Sequence, residues 1–138
     1  MILTGTKVES DVFAMVKGSA LETAINGGVY HAGTRPRDSK LEDIVVRYSS
    51  GSSVGVQSGI VSVYIYIPDI APFSNGVYVK DGERVLQMEA LASDWVSTLT
   101  ADKSNYLFSL ADAIATDSQE ATHEHVVVIQ LYYRYIDL

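Results

Sequence analysis

Cysteine is absent from this 138-residue chain. That excludes a disulfide framework, a thiolate nucleophile and cysteine-ligated zinc. Basic residues are few: ten Lys and Arg stand against seventeen Asp and Glu, for a formal charge of −7. Such a surface favours solubility and argues against free nucleic acid as a partner, because phosphates need clustered Lys and Arg to neutralise them. No apolar run approaches the roughly 18 residues a membrane span requires. The first residues, Met1 to Gly5, show no basic segment followed by a long apolar stretch, so no signal peptide is read there. The cytoplasm of the producing cell is the default location. Internal repeats and the Lys-Ser/Thr ending of a phosphate-binding loop are also missing, which removes the sequence signal for a P-loop nucleotide site.

What remains is a chain with 47% hydrophobic residues, enough for a folded core. A chain of this length makes one domain, 1–138, and buries roughly two-thirds of its unfolded surface without help from a metal.

The stretch 59–99 organises it. Val61, Val63, Ile65 and Ile67 alternate with Ser62, Tyr64 and Tyr66, a two-residue period that reads as a strand. Pro68, which cannot donate to a ladder, ends it. A loop containing Pro72, Asn75 and Gly76 follows. Val85, Met88, Ala92, Trp95 and Leu99 then fall on one stripe of a helix, with Asp81 as its N-cap and Glu83 in its first turn.

Residues 1–9 read as a lead-in. Ser10 caps a first short helix that Gly18 stops, and Ser19 with Glu22 forms a capping box for a second one ending at 26–28. A single bent helix fits the same residues. Next come a short extended piece at 29–31, a loop over 32–43, a strand over 44–48 and a Ser/Gly turn over 49–55. The next strand makes an antiparallel hairpin with the one before. Residues 100–105 read as a polar connection. The segment 106–115 reads as a strand from the alternation of Tyr106, Phe108 and Leu110, although 109–115 has helix-forming composition; 116–122 reads as a polar loop, and 125–136 as a final strand. In that last strand Val127, Ile129, Leu131, Tyr133 and Tyr135 share one face and Gln130, Tyr132 and Arg134 the other. The expected fold class is α+β: two layers, with a mainly antiparallel sheet packed by one long helix and a short N-terminal helical region.

Candidate chemistry is sparse. His123 and His125, two apart on a strand, would point to one side and could share an ion, although a zinc site needs further ligands. His31 reads as a strand-end residue. Glu42 and Asp43 are paired carboxylates in a loop, Glu89 and Asp94 sit off the apolar helix stripe, and nothing in the pattern buries any of them. Arg35, Arg37 and Lys40 lie in the 32–43 loop, either as a solvated loop or as an arm for a partner. Nine of the 138 residues are Tyr, and Tyr64, Tyr66, Tyr132 and Tyr133 gather in the two strongest strands. They either cover a sheet face and pack under the helix, or form a subunit interface, which Tyr suits by offering apolar area and a hydroxyl together. No residue is assigned as catalytic, metal-binding or cofactor-binding.

The order of these pieces carries a likeness. A short helical region leads into Ala24-Ile25-Asn26-Gly27-Gly28-Val29-Tyr30. Arg35-Pro36 and Glu42-Asp43-Ile44-Val45-Val46 follow, then the stretch 57–69 and one long helix. This resembles the tail-completion and tail-terminator-like proteins of tailed bacteriophages and prophages, over about residues 10–99. The loop between Ile67 and Asp81 is longer than usual for that family. The resemblance implies a non-enzymatic structural protein with no cofactor. It implies a homo-oligomeric ring, a hexamer by preference, at the head–tail junction of the virion. Tail-tube and head-connector proteins would be its neighbours, and DNA would pass through the lumen without specific binding. Arg35, Arg37, Tyr64, Tyr66, Tyr132 and Arg134 are the first candidates for subunit or neighbour contacts. Two other classes compete: a small metal-dependent hydrolase using His123 and His125, and a ligand-binding α+β module with a Tyr-lined groove.

Overall fold

Period-two alternation at 57–68 and 124–135 builds the centre of the sheet. The computed structural model describes residues 2–99 and 104–136; positions 100–103 of the expected polar connection lie outside the described residues. In chain order the elements are α1 (Gly5–Val16), α2 (Ala20–Ala24), β1 (Val29–His31), β2 (Asp43–Ser52), β3 (Gln57–Pro68), α3 (Gly82–Leu99), β4 (Tyr106–Leu110), β5 (Ala115–Gln119) and β6 (Glu124–Tyr135), with a 3₁₀ turn at Glu120–Thr122. β3 and β6 pair antiparallel along their full lengths. The strand order is β1-β2-β3-β6-β4, with β5 also on β6. Only β1, parallel to β2, departs from antiparallel pairing. The fold is therefore α+β, with one long helix and a short N-terminal helical region, as the sequence pattern indicates.

One face of the sheet is covered. Ile44, Val46, Val61, Val63, Ile65, Val127, Ile129 and Leu131 point into a core shared with Val8, Val12 and Val16 of α1 and Val85, Met88, Ala92 and Trp95 of α3. The expected α3 stripe is buried as a set. Asp81 caps that helix: its carboxylate accepts from Arg84 N–H at 3.3 Å. The other face carries Asp43, Val45 and Arg47, opposite Tyr66, Tyr64 and Ser62, which in turn face Val126, Val128 and Gln130. Among the described residues no helix packs there.

Several boundaries differ from expectation. α1 begins at Gly5 with Thr4 as N-cap, so 1–9 is not a lead-in and Ser10 lies inside the helix. Val8 is the reason: with Val12 and Val16 it forms an i, i+4, i+8 stripe that needs the extra turn. Ser19 caps α2, but Glu22 accepts from Gly18 N–H rather than closing on Ser19. Gly18, at φ +77°, does stop α1, in the left-handed region that glycine tolerates. The Ser/Gly run 49–52 is strand rather than turn, with an irregularity between Tyr48 and Ser50. Glycine makes that possible: a Cβ at Gly51 or Gly59 would collide with the Tyr133 hydroxyl and neighbouring atoms.

The segment 106–115 holds a strand only to Leu110, and 116–122 is not a loop. β4 pairs with the C-terminal half of β6, leaving the edge of its N-terminal half open. β5 fills it, so the backbone groups of β6 are satisfied along both halves.

Candidate functional site

Parallel pairing of β1 with β2 forces the 32–42 connection to travel back along the sheet. It does so on the helix-free side and brings Arg35 over the Tyr66 ring, with the guanidinium carbon 4.0 Å from the ring centroid. The guanidinium is spent within the chain. Its Nε donates to Asp43 Oδ2 at 2.8 Å, and its two terminal nitrogens donate to the two oxygens of Glu124 at 3.2 and 3.0 Å. Asp43 is fully buried, and it also accepts from the Ser39 hydroxyl and from Gly28 N–H. Glu124 is buried and accepts a further bond from Thr122. One arginine thus ties the loop, the start of β2 and the start of β6 into a single network.

Glu42 and Asp43 share this end of the sheet but face opposite ways, as neighbours on a strand must. Glu42 points to the helix side, where Arg84 of α3 grips both of its oxygens at 2.7 and 2.8 Å. Both acids are buried, so the reading of them as loop carboxylates is corrected: each has an arginine of its own. Gly27 permits this packing, because a Cβ there would meet the Asp43 carboxylate and the Glu42 carbonyl.

Burial acts to raise the Asp43 pKa. The Ser39 hydroxyl, Gly28 N–H and Arg35 outweigh it and hold the carboxyl below its ordinary value. A carboxylate depressed on folding adds stability above its unfolded pKa, about 3.9, and that stability is lost as pH falls through the lower folded value. Urea midpoints should therefore be flat from pH 7 to about 5 and fall below about 4. Asp43→Asn should flatten part of that acid limb.

Beside the network lies an open basin of about 550 Å³, lined by Gly33, Arg35, Arg37, Val45, Arg47, Tyr64 and Tyr66. Four of the sequence candidates meet here: Arg35, Arg37, Tyr64 and Tyr66. Arg35 is half-buried and bonded inward, whereas Arg37 is exposed. Tyr132 and Arg134 lie on the same face but farther along β6, opposite Ile60 and Ser58, and both are exposed. Sequence reasoning missed Arg47, which the alternation of β2 places on the basin face beside Val45. It also missed Asp43 and Glu124, whose only sequence signal is an acid directly before an apolar strand.

The paired histidines differ in backbone and partners. His123 sits outside β6 in the left-handed conformation, φ +54°, stacked on Tyr78 at 4.1 Å between centroids. His125 is on β6 and bonds Asp69 Oδ1 through Nδ1 at 2.6 Å. The two do not project from one strand as expected, yet both line one open pocket of about 520 Å³ with Asp69 and Glu120. Among the described residues no group of three or more His, Cys, Asp or Glu is placed to hold a metal ion. His31 stacks on Phe13 and contacts Glu9. Glu89 is half-buried and accepts from Thr116 of β5 at 2.7 Å, while Asp94 is exposed.

Both ends of the long β3 carry exposed apolar side chains. At the hairpin tip Val54 is 87% exposed, and in the loop after β3 Phe73 is 69% exposed. A backbone bridge between Ile70 and Val79 closes the base of that loop. No protein-family model matches this chain, and no curated protein matches it in sequence.

Proposed function

We propose that this chain is a structural, non-enzymatic subunit that works in homo-oligomers, as tail-completion and tail-terminator-like proteins of tailed phages and prophages do. The likeness of its strand, loop and helix order to that family motivates the reading. The observation that carries it is the helix-free sheet face, which holds Tyr64, Tyr66, Tyr132 and four of the chain's five arginines. A two-sided sheet with one dry core needs a reason to keep large aromatic and guanidinium groups on its second side, and protein interfaces are enriched in these residue types.

The geometry suits a ring subunit held between unlike neighbours. Side to side, the sheet ends in unpaired edges at β1 and at β4 and β5 among the described residues, and open edges invite a neighbouring chain. End to end, the apolar hairpin tip and the Phe73 loop are separated by the twelve residues of β3, about 40 Å. In this reading those two ends meet the tail tube and the head connector. A hexamer at the head–tail junction, with DNA in the lumen, follows from the family likeness alone.

Sedimentation velocity over a wide concentration range tests the assembly. The expected result is a species several times the 15.0 kDa chain mass, growing with concentration. A monomer at every concentration contradicts it.

A further inference from the structure

We infer that copies of this chain join head to tail, the basin of one copy receiving the acidic β5 rim of the next. This deepens the assembly reading and rests on it. In an acidic chain, the exposed charges lining the basin are both arginines, Arg37 and Arg47. Neither has a hydrogen bond or an ion pair among the described residues, whereas Arg35 is occupied by Asp43 and Glu124. The basin lies over β2 and β3 under the 32–42 connection, and its arginines sit on the β2 side. At the opposite side, Asp112, Asp117 and Glu120 are exposed on and around β5, and none makes an ion pair among the described residues.

Two features of the topology make these patches partners between copies rather than within one. Three strand spacings separate β2 from β5, about 14 Å, too far for side chains to pair. Asp117 also faces the helix-free side, opposite Val126, in the same cross-sheet row as Asp43 and Tyr66. The arginines and the rim acid are thus on one face, toward opposite sides of the sheet. Complementary patches toward opposite sides make a heterologous contact, which closes into a ring when the rotation per subunit allows. The seam would cover Arg37 and Arg47 and leave the rest of the assembled surface acidic.

Charge reversal tests this. One variant carries Arg37→Glu with Arg47→Glu, and the other Asp117→Lys with Glu120→Lys. All four side chains are exposed, and circular dichroism checks that each variant folds. Each alone should self-associate at least about tenfold more weakly than the parent, since like charges then face each other. Mixed one to one, every seam again pairs opposite charges, and assembly should return. The parent's own association should weaken as salt rises. If the parent assembles but both variants assemble equally well, or the mixture fails to restore assembly, the head-to-tail seam is wrong while the assembly reading stands. If the parent stays monomeric, the assembly reading itself fails and this inference with it.

Discussion

Arg35→Ala is expected to lower stability by about 3–5 kcal/mol, a large share of the roughly 5–15 kcal/mol that holds a typical domain together. The reason is what the substitution leaves behind. Asp43 is fully buried and Glu124 nearly so, and both lose their only arginine. Ser39, Gly28 N–H and Thr122 still donate to them, but these groups carry no charge. Arg35→Lys should fall between parent and Ala, because one ammonium cannot copy a fork that spans two carboxylates. Replacing all three partners with apolar residues of similar size should cost less than Arg35→Ala, since no orphaned charge remains. The deficit of Arg35→Ala should also shrink on acidification. Protonating Asp43 removes the penalty of burying it unpaired, so the gap to the parent is widest at neutral pH and narrows as the pH falls. Urea denaturation of the four proteins at pH 7 and pH 4 separates these outcomes.

Trp95→Ala is expected to cost a similar amount, about 3–5 kcal/mol. Trp95 is 4% exposed and belongs to the α3 stripe that closes the core over the sheet. Its loss leaves a void where α3 meets α1 and α2, beside a groove already lined by Met15, Leu91 and Leu99. Leu86, on the same helix but facing out, supplies the contrast: Leu86→Ala should change stability by no more than about 0.5 kcal/mol. Thermal and urea unfolding of the two variants compare them directly. Equal effects would mean that α3 does not pack by the stripe its sequence displays.

That stripe, its Asp81 cap and the two central strands were legible because each is a local pattern whose period is set by backbone geometry. β5 was not. Ala115–Gln119 has no alternation, and it is a strand because β6 offers it an open edge, a tertiary demand that no window of sequence contains. The start of α1 was missed because Ser10 is a good cap residue while Thr4 is the one that starts the Val8, Val12, Val16 stripe. The Arg35 network is the clearest case of information held only in three dimensions. Arg35 and Glu124 are 89 positions apart, and a loop arginine looks the same in sequence whether it is solvated or clamped. Arg37 and the outward tyrosines were found from composition and strand phase. Their neighbour Arg47 was passed over, although the same phase places it on the basin face.

The central claim is that copies meet across the helix-free side of the sheet, from the basin on the β2 side to the β5 rim. Hydrogen–deuterium exchange measured on dilute and concentrated protein tests it most directly. Association should slow exchange in the 32–42 connection and in β5, and leave the outer face of α3 unchanged. Slowed exchange on α3 with none in those two segments, or no change anywhere, would contradict it.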